Sequence, residues 1–136
     1  ALDQWVSEDK EERDWANAVA PAFEAAGTNG GTTSVSDASL LEALAQAGLG
    51  LGDLTYILPH QANIRIIEAA REKLCLPEER FITAISRYGN TSAGSIPIIL
   101  DEANREGNLR PGDIFALCAF GGGLTSGCAV IRWTRS

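Results

Sequence analysis

The chain has 136 residues, of which 45% are hydrophobic and 21% are charged. That composition predicts one globular domain, or one half of a larger one, and excludes a disordered chain. The net charge of −7 argues against nucleic acid as the main partner. No apolar run reaches the roughly 18–20 residues that a membrane span needs, and no signal-peptide pattern opens the sequence. We therefore expect a soluble, cytoplasmic protein that has no membrane partner.

The three cysteines are Cys75, Cys118 and Cys128, an odd number without CxxC spacing. We therefore expect neither a metal centre nor a disulfide framework. Cys118 and Cys128 fall in strand-like apolar segments, where cysteine usually behaves as a small buried hydrophobe.

Residues 1–37 carry the least information. Residues 8–26 are compatible with a helix that Pro21 kinks or divides. Residues 27–36 are rich in glycine, serine and threonine and predict a flexible connector. We accordingly separate an irregular N-terminal segment, 1–37, from a regular domain, 38–136.

From Asp37 onward the pattern becomes regular. Asp37 is a candidate N-cap for a helix that stops at Gly48, and Leu40, Leu41 and Leu44 form its apolar stripe. The other predicted elements are strands at 54–58, 81–85, 114–120 and 126–133, helices at 62–75 and 96–106, a loop at 87–95 and a turn at 110–113. The order α-β-α-β-α-β-β predicts an α/β fold. Its mixed, mostly parallel sheet would carry helices on both faces and end in an antiparallel hairpin.

Polar or glycine residues follow the first three predicted strands. His60, the only histidine, follows the first, Asn90 follows the second, and Gly121-Gly122-Gly123 follow the third. The carboxyl ends of parallel strands share one edge of a sheet, where α/β proteins commonly bind ligands. We therefore expect the three loops to meet.

Few kinds of reaction suit a pair formed by His60 and Asn90. A neutral imidazole and an amide can both donate to one oxygen without adding net charge, which would stabilise an enolate formed from a thioester. The positive end of the helix after His60 would keep its imidazole neutral. The glycines would let backbone N–H groups approach a substrate closely.

Each feature also has a purely structural explanation. A single histidine at a strand end is more often structural than catalytic, and Asn90 after Gly89 is a common turn residue. A run of glycines between strands is most often only a loop. The expected coincidence at one sheet edge is what favours a functional site.

Three motifs carry a resemblance to a known family. They are Pro59-His60-Gln61-Ala62-Asn63, Arg87-Tyr88-Gly89-Asn90-Thr91-Ser92-Ala93-Gly94-Ser95 and Phe120-Gly121-Gly122-Gly123-Leu124-Thr125. In order and spacing they resemble the C-terminal half of β-ketoacyl-acyl-carrier-protein synthase III, a condensing enzyme of the thiolase superfamily. The likeness covers residues 37–133 and implies a thiolase-like half-domain, whereas residues 1–37 do not clearly match.

The resemblance implies roles for the residues at the sheet edge. His60 and Asn90 match the histidine and asparagine of the family's Cys-His-Asn triad, which would hold the malonyl thioester oxygen during decarboxylation. Gly122 matches the glycine whose backbone N–H helps to form the oxyanion hole. Phe120 matches an aromatic residue beside the pair, and Gly121 and Gly123 would complete the substrate pocket.

Arg65, just beyond the first motif, matches a basic position that docks the acidic acyl carrier protein. The alternative is an ordinary helix-surface charge paired with Glu68 or Glu72.

The chain departs from the family at the nucleophile. That residue is a cysteine at the N-terminus of a buried helix in the N-terminal half, where the helix dipole helps to form the thiolate. Cys75 is predicted at the C-terminal end of a helix, and Cys118 and Cys128 are predicted within strands. None of the three fits that position.

The resemblance therefore implies the C-terminal half or subunit of a ketosynthase III-type acyltransferase of fatty-acid or polyketide biosynthesis. Completed by an N-terminal half that carries the cysteine, it would perform a decarboxylative Claisen condensation, and alone it would be inactive. Its substrates would be acyl-CoA and malonyl-ACP or malonyl-CoA, with no cofactor or metal. Its partners would be that half and an acyl carrier protein, in a dimeric or hetero-oligomeric assembly.

Two other functions remain open. One is a non-catalytic thiolase-like module that binds an acyl carrier or CoA, or that scaffolds a partner. The other is an O- or N-acyltransferase that reuses the same half-site. A scaffold has no need of both His60 and Asn90, so the intact pair favours the condensing enzyme.

Overall fold

The computed structural model describes residues 32–121 and 125–135. The predicted helix at 8–26 lies outside these residues. The helices are α1 (Thr32–Gln46), α2 (Ile64–Lys73), α3 (Ile85–Tyr88) and α4 (Ser95–Arg105), and the strands are β1 (Tyr56–Pro59), β2 (Ile114–Gly121) and β3 (Thr125–Arg132). Short 3-10 turns occupy Leu51–Asp53, Glu78–Arg80 and Ser92–Gly94.

The three strands form one mixed sheet in the order β1-β2-β3. β1 runs parallel to β2, with Leu58 opposite Leu117. β2 and β3 are antiparallel and pair from Ile114 opposite Arg132 to Gly121 opposite Thr125. The predicted mixed α/β sheet with a C-terminal antiparallel hairpin is therefore confirmed.

Apolar side chains fill a core on each face of the sheet, because successive strand residues point to opposite faces. The core beneath α4 contains Leu58, Phe115, Leu117, Ile99 and Ala103. The core beneath α1 contains Leu40, Leu44, Ile57, Ala116, Cys118 and Cys128. Helices thus cover both faces, as predicted, and the two strand cysteines are buried as expected.

The first described helix differs from its prediction in where it begins and in which of its leucines are buried. α1 begins at Thr32, so Asp37 lies inside it rather than capping it, and residues 32–36 are helical rather than part of a connector. Serine and threonine disfavour a helix only weakly, and packing of an apolar face readily outweighs that preference. Leu40 and Leu44 supply that face, whereas Leu41 is 48% exposed. The helix stops at Gly48 as predicted, with a φ of 68°.

The predicted strand at 81–85 is reduced to one residue. Phe81 forms an isolated parallel bridge with Ile57. The next residues leave the sheet, and α3 begins at Ile85. The predicted loop at 87–95 accordingly contains the end of α3 and a 3-10 turn before α4. No helix in the described part of the chain is long and apolar enough to cross a membrane.

Candidate active site

His60 lies directly beyond the last residue of β1 and is held on two sides. Its backbone N–H donates to the Cys118 carbonyl at 2.7 Å, which continues the β1–β2 ladder by one residue. Its Nδ1 lies 2.6 Å from the Ser95 hydroxyl oxygen. The ring meets Phe120 edge to face, with centroids 5.5 Å apart and planes at 69°. These contacts fix the orientation of the imidazole.

Partial burial lowers the pKa of His60 below its ordinary value, because desolvation disfavours the imidazolium. The sequence predicts a neutral imidazole for a different reason, the positive end of the following helix. α2 begins only at Ile64, four residues after His60, and burial is the cause that acts on the ring.

Gln61 is the buried polar residue that ties the end of β1 to the next segment. Its side chain is 2% exposed, and its Nε2 donates to the Pro59 carbonyl at 2.8 Å. Its Oε1 accepts the backbone N–H groups of Ala84 at 2.8 Å and Ile85 at 3.1 Å. Ala84 N–H and the Pro59 carbonyl are the two groups that would otherwise pair next in the parallel register begun at Phe81 and Ile82. The side chain of Gln61 thus holds the backbone at the point where it leaves the sheet and enters α3.

Ser95 performs the equivalent task at the other end of the loop. It is the first residue of α4, and it is 2% exposed. Its Oγ accepts the backbone N–H of Gln61 at 3.2 Å and contacts Nδ1 of His60. The adjacent residues His60 and Gln61 therefore fasten the loop between α3 and α4 at both ends.

Asn90 lies within that fastened loop and is exposed. Its Oδ1 accepts the Ser92 backbone N–H at 2.8 Å, which leaves its amide nitrogen to donate elsewhere. Among the described contacts, no direct hydrogen bond joins Asn90 to His60. Ser95, which contacts His60, lies five residues after Asn90 in the chain.

Sequence reasoning missed Gln61 and Ser95 as positioning residues, although both lie in motifs that it quoted. The available signal was a pair of polar residues in predicted apolar surroundings, since buried polar groups require hydrogen-bond partners. Neither partner set could be identified from the sequence, because every one of these contacts except that of Gln61 with Pro59 spans 23 to 35 residues.

The glycine loop is described only at its first residue. Gly121 ends β2 opposite Thr125, and a Cβ added there would meet no atom within 4 Å. Crowding among the described residues therefore does not require a glycine at that position. Gly122 and Gly123 lie outside the described residues, so their roles in the oxyanion hole and pocket stay predictions.

Arg65 is exposed on the first turn of α2. Its backbone N–H donates to the side chain of the helix cap, Asn63, at 2.9 Å. In the described part of the chain it forms no ion pair with Glu68 or Glu72, since the ion pairs there involve Arg87 and Arg105. The guanidinium is therefore not occupied by those neighbours.

A small apolar pocket of about 30 Å³ adjoins His60 and Phe120 and continues between α2 and the sheet, past Ile66 and Leu74. Ligand pockets commonly measure about 300–1,000 Å³, so this volume is too small to enclose a thioester substrate. The described surface offers one wall of a site.

The chain is similar to proteins of one known family. Residues 44–133 match the family model described as 3-oxoacyl-[acyl-carrier-protein (ACP)] synthase III C terminal. A β-ketoacyl-[acyl-carrier-protein] synthase III of Roseiflexus is 56% identical over 97 residues, which are 71% of this chain and 30% of that protein. The protein of the same name from Desulfitobacterium hafniense is 50% identical over 95 residues, or 70% of this chain and 29% of that protein.

The crystal structure of a synthase III from Thermus thermophilus superposes with a TM-score of 0.74 at 44% identity and covers 86% of this chain and 35% of that one. That of the Pseudomonas aeruginosa protein gives 0.73 at 39% identity, with 76% and 33% covered. The chain thus spans about three tenths of the length of the curated relatives it matches.

Proposed function

The chain belongs to the family of 3-oxoacyl-[acyl-carrier-protein] synthase III C-terminal domains, and from this premise we propose that it supplies the His–Asn half of a decarboxylative condensing site. One observation carries the proposal. His60 and Asn90 each use one polar atom in an internal hydrogen bond, and each keeps a nitrogen for a ligand. Both groups are neutral donors, which is the chemistry that two hydrogen bonds to one thioester oxygen require.

The proposed reaction begins with a malonyl thioester whose carbonyl oxygen accepts hydrogen bonds from His60 Nε2 and Asn90 Nδ2. The bond between the α-carbon and the carboxylate carbon breaks and releases CO₂, and its electron pair passes to the thioester oxygen as an enolate. The two donors stabilise the negative charge where it develops. The α-carbon then attacks the carbonyl of an acyl-cysteine, the thiolate departs, and a β-ketoacyl thioester remains.

The acyl-cysteine must come from polypeptide outside these 136 residues. Cys75 is exposed beyond the C-terminal end of α2, whereas activated cysteines typically lie at a helix N-terminus. Cys118 and Cys128 are buried within β2 and β3. A complementary N-terminal half would contribute the nucleophile and the remaining walls of the pocket, so we expect no condensation by these residues alone.

Arg65 is proposed to contact the acyl carrier protein that delivers the malonyl group. Its exposure and its lack of an ion pair with Glu68 or Glu72 in the described part of the chain leave its charge available to an acidic partner. Such a surface contact would act mainly on the association rate and would weaken as salt increases.

The test is a chimaera in which residues 44–133 replace the matching segment of the Roseiflexus relative. We expect the chimaera to acylate its cysteine and to decarboxylate malonyl thioester. His60→Ala should lower the decarboxylation rate by about 10²–10³-fold, the usual effect of removing one such donor. Self-acylation should stay largely intact, because the proposed donors act on the malonyl group.

The matched control is Gln46→Ala, an exposed substitution on α1 that should leave both steps unchanged. A folded chimaera that binds acyl carrier protein but never decarboxylates would instead indicate a binding or scaffold module. Acyl transfer to an alcohol or amine without decarboxylation would indicate an O- or N-acyltransferase. Robust turnover by the 136-residue chain alone would refute the need for a second half.

A further inference from the structure

The proposed reaction uses Nε2 of His60 and leaves the other ring nitrogen, Nδ1, without a role. Ser95 is the residue in contact with Nδ1. Its side chain is almost fully buried at the first position of α4. It lies within hydrogen-bond distance of two groups, Nδ1 of His60 and the backbone N–H of Gln61. The direction of each hydrogen bond can be assigned from chemistry.

The Gln61 contact has only one possible direction. A backbone N–H can only donate, so Ser95 Oγ is the acceptor in that 3.2 Å hydrogen bond. The hydroxyl hydrogen of Ser95 is then left to find an acceptor of its own. Among the described contacts of this hydroxyl, the one remaining partner is Nδ1 of His60.

The alternative direction leaves a buried group unsatisfied. If Nδ1 carried a proton and donated to Ser95, the hydroxyl would accept two N–H groups and its own hydrogen would lack a described acceptor. A buried donor without a partner is costly.

We propose that Ser95 is a positioning residue that holds His60 in the neutral tautomer with its proton on Nε2, an inference that rests on the donor role proposed for His60. Nδ1 accepts the Ser95 hydroxyl hydrogen, so Nε2, on the other side of the ring, keeps the N–H that would donate to a thioester oxygen. The edge-to-face contact with Phe120 opposes rotation of the ring, which would exchange the two nitrogens.

The tautomer can be measured directly on the full chain, because His60 is the only histidine. Long-range ¹H–¹⁵N correlation spectra of the uniformly ¹⁵N-labelled protein distinguish a protonated from an unprotonated ring nitrogen. At about pH 8.5, two units above the usual histidine pKa, the ring is neutral. We expect one tautomer with the proton on Nε2.

Three variants distinguish the effect of the Ser95 hydroxyl from the effect of side-chain packing. Ser95→Ala should shift both ring nitrogens toward the averaged values of two exchanging tautomers. Ser95→Thr, which keeps the hydroxyl, should restore the wild-type pattern. Ser86→Ala, an exposed serine on α3, should leave the pattern unchanged.

A proton on Nδ1 in the wild-type chain, or a mixture of tautomers, would overturn the proposal. So would a folded Ser95→Ala protein with unchanged ring shifts. If Ser95→Ala loses its folded amide spectrum, the wild-type and Ser95→Thr spectra still decide the matter. The spectra require no substrate, so they stand even if the proposed condensation is wrong.

A kinetic measurement links the tautomer to the reaction. In the chimaera, Ser95→Ala should lower kcat for decarboxylation by about tenfold with little change in KM, less than the loss of the whole donor. Ser95→Thr should recover most of it. An unchanged kcat in Ser95→Ala, with active wild-type chimaera, would refute the positioning role while leaving the proposed function in place.

Discussion

Replacing Gln61 tests most directly how the loop that carries Asn90 is held. The Gln61 side chain is 2% exposed and makes three hydrogen bonds, two of them to backbone N–H groups at the start of α3. Leucine has a similar volume and no polar atoms, so Gln61→Leu removes the hydrogen bonds while the space stays filled. Gln61→Ala removes the packing as well.

The expected magnitudes follow from these contacts. Three hydrogen bonds at about 1 kcal/mol each give a loss of roughly 3 kcal/mol for Gln61→Leu. Gln61→Ala adds a cavity, which brings the loss to roughly 5 kcal/mol. A domain of this kind has a free energy of unfolding of about 5–15 kcal/mol, so either change is a large part of the total.

The assay is urea-induced unfolding of the full chain, combined with hydrogen exchange. Backbone amides of Ala84 and Ile85 should lose more protection in Gln61→Leu than that of Ala129 in β3, which should fall only as far as the free energy of global unfolding falls. The exposed control Gln46→Ala should change the free energy of unfolding by less than about 0.5 kcal/mol. A loss below about 1 kcal/mol for Gln61→Leu, or unchanged exchange at Ala84, would refute the reasoning.

Three further outcomes are expected. Burial lowers the pKa of His60, so between that lowered value and about 6.5 the unfolded chain binds more protons than the folded chain. The free energy of unfolding should therefore fall as the pH decreases through this window. His60→Gln should remove that part of the pH dependence. The hydrogen bond to Glu102, with its negative charge, raises the pKa of Tyr88, so Glu102→Gln should lower it toward its ordinary value in a titration of phenolate absorbance. Gly48→Ala should lower the free energy of unfolding by about 1 kcal/mol, because Gly48 has a φ of 68°. Gly52 has an ordinary φ and open space around it, so Gly52→Ala should change that free energy by less than about 0.5 kcal/mol. Urea unfolding measures both.

The sheet could be predicted from the sequence wherever apolar runs were long and bounded by turn residues. The segments 114–120 and 126–133 are such runs, and they form the paired strands β2 and β3. Alternation of helices and strands also predicted the cover on both faces. The start of α1 could not be predicted, because weak preferences of serine and threonine compete there with packing that becomes visible only in three dimensions.

The sequence predicts His60 and Asn90 at one edge of the sheet, and their pairing as donors stays a prediction. In the structure, His60 contacts Ser95 and Asn90 binds the Ser92 N–H within the preceding loop. Phe120 was expected beside them and packs against the His60 ring. Ser95 and Gln61 were not identified, since a buried polar side chain shows its purpose only through partners that are distant in the sequence.

The shortened strand and the anchored loop have one physical cause. The residues after Phe81 have the apolar character of a strand, and their N–H groups need acceptors wherever they are buried. Gln61 offers its side-chain oxygen to the two N–H groups at positions 84 and 85, so the chain satisfies them without continuing the sheet. The chain instead continues through α3 to Asn90, and at Ser95 it contacts His60, the residue next to Gln61. Gln61 thereby couples the stability of the fold to the position of the segment that leads to Asn90, and we expect a change that lengthened this strand to displace the Asn90 loop.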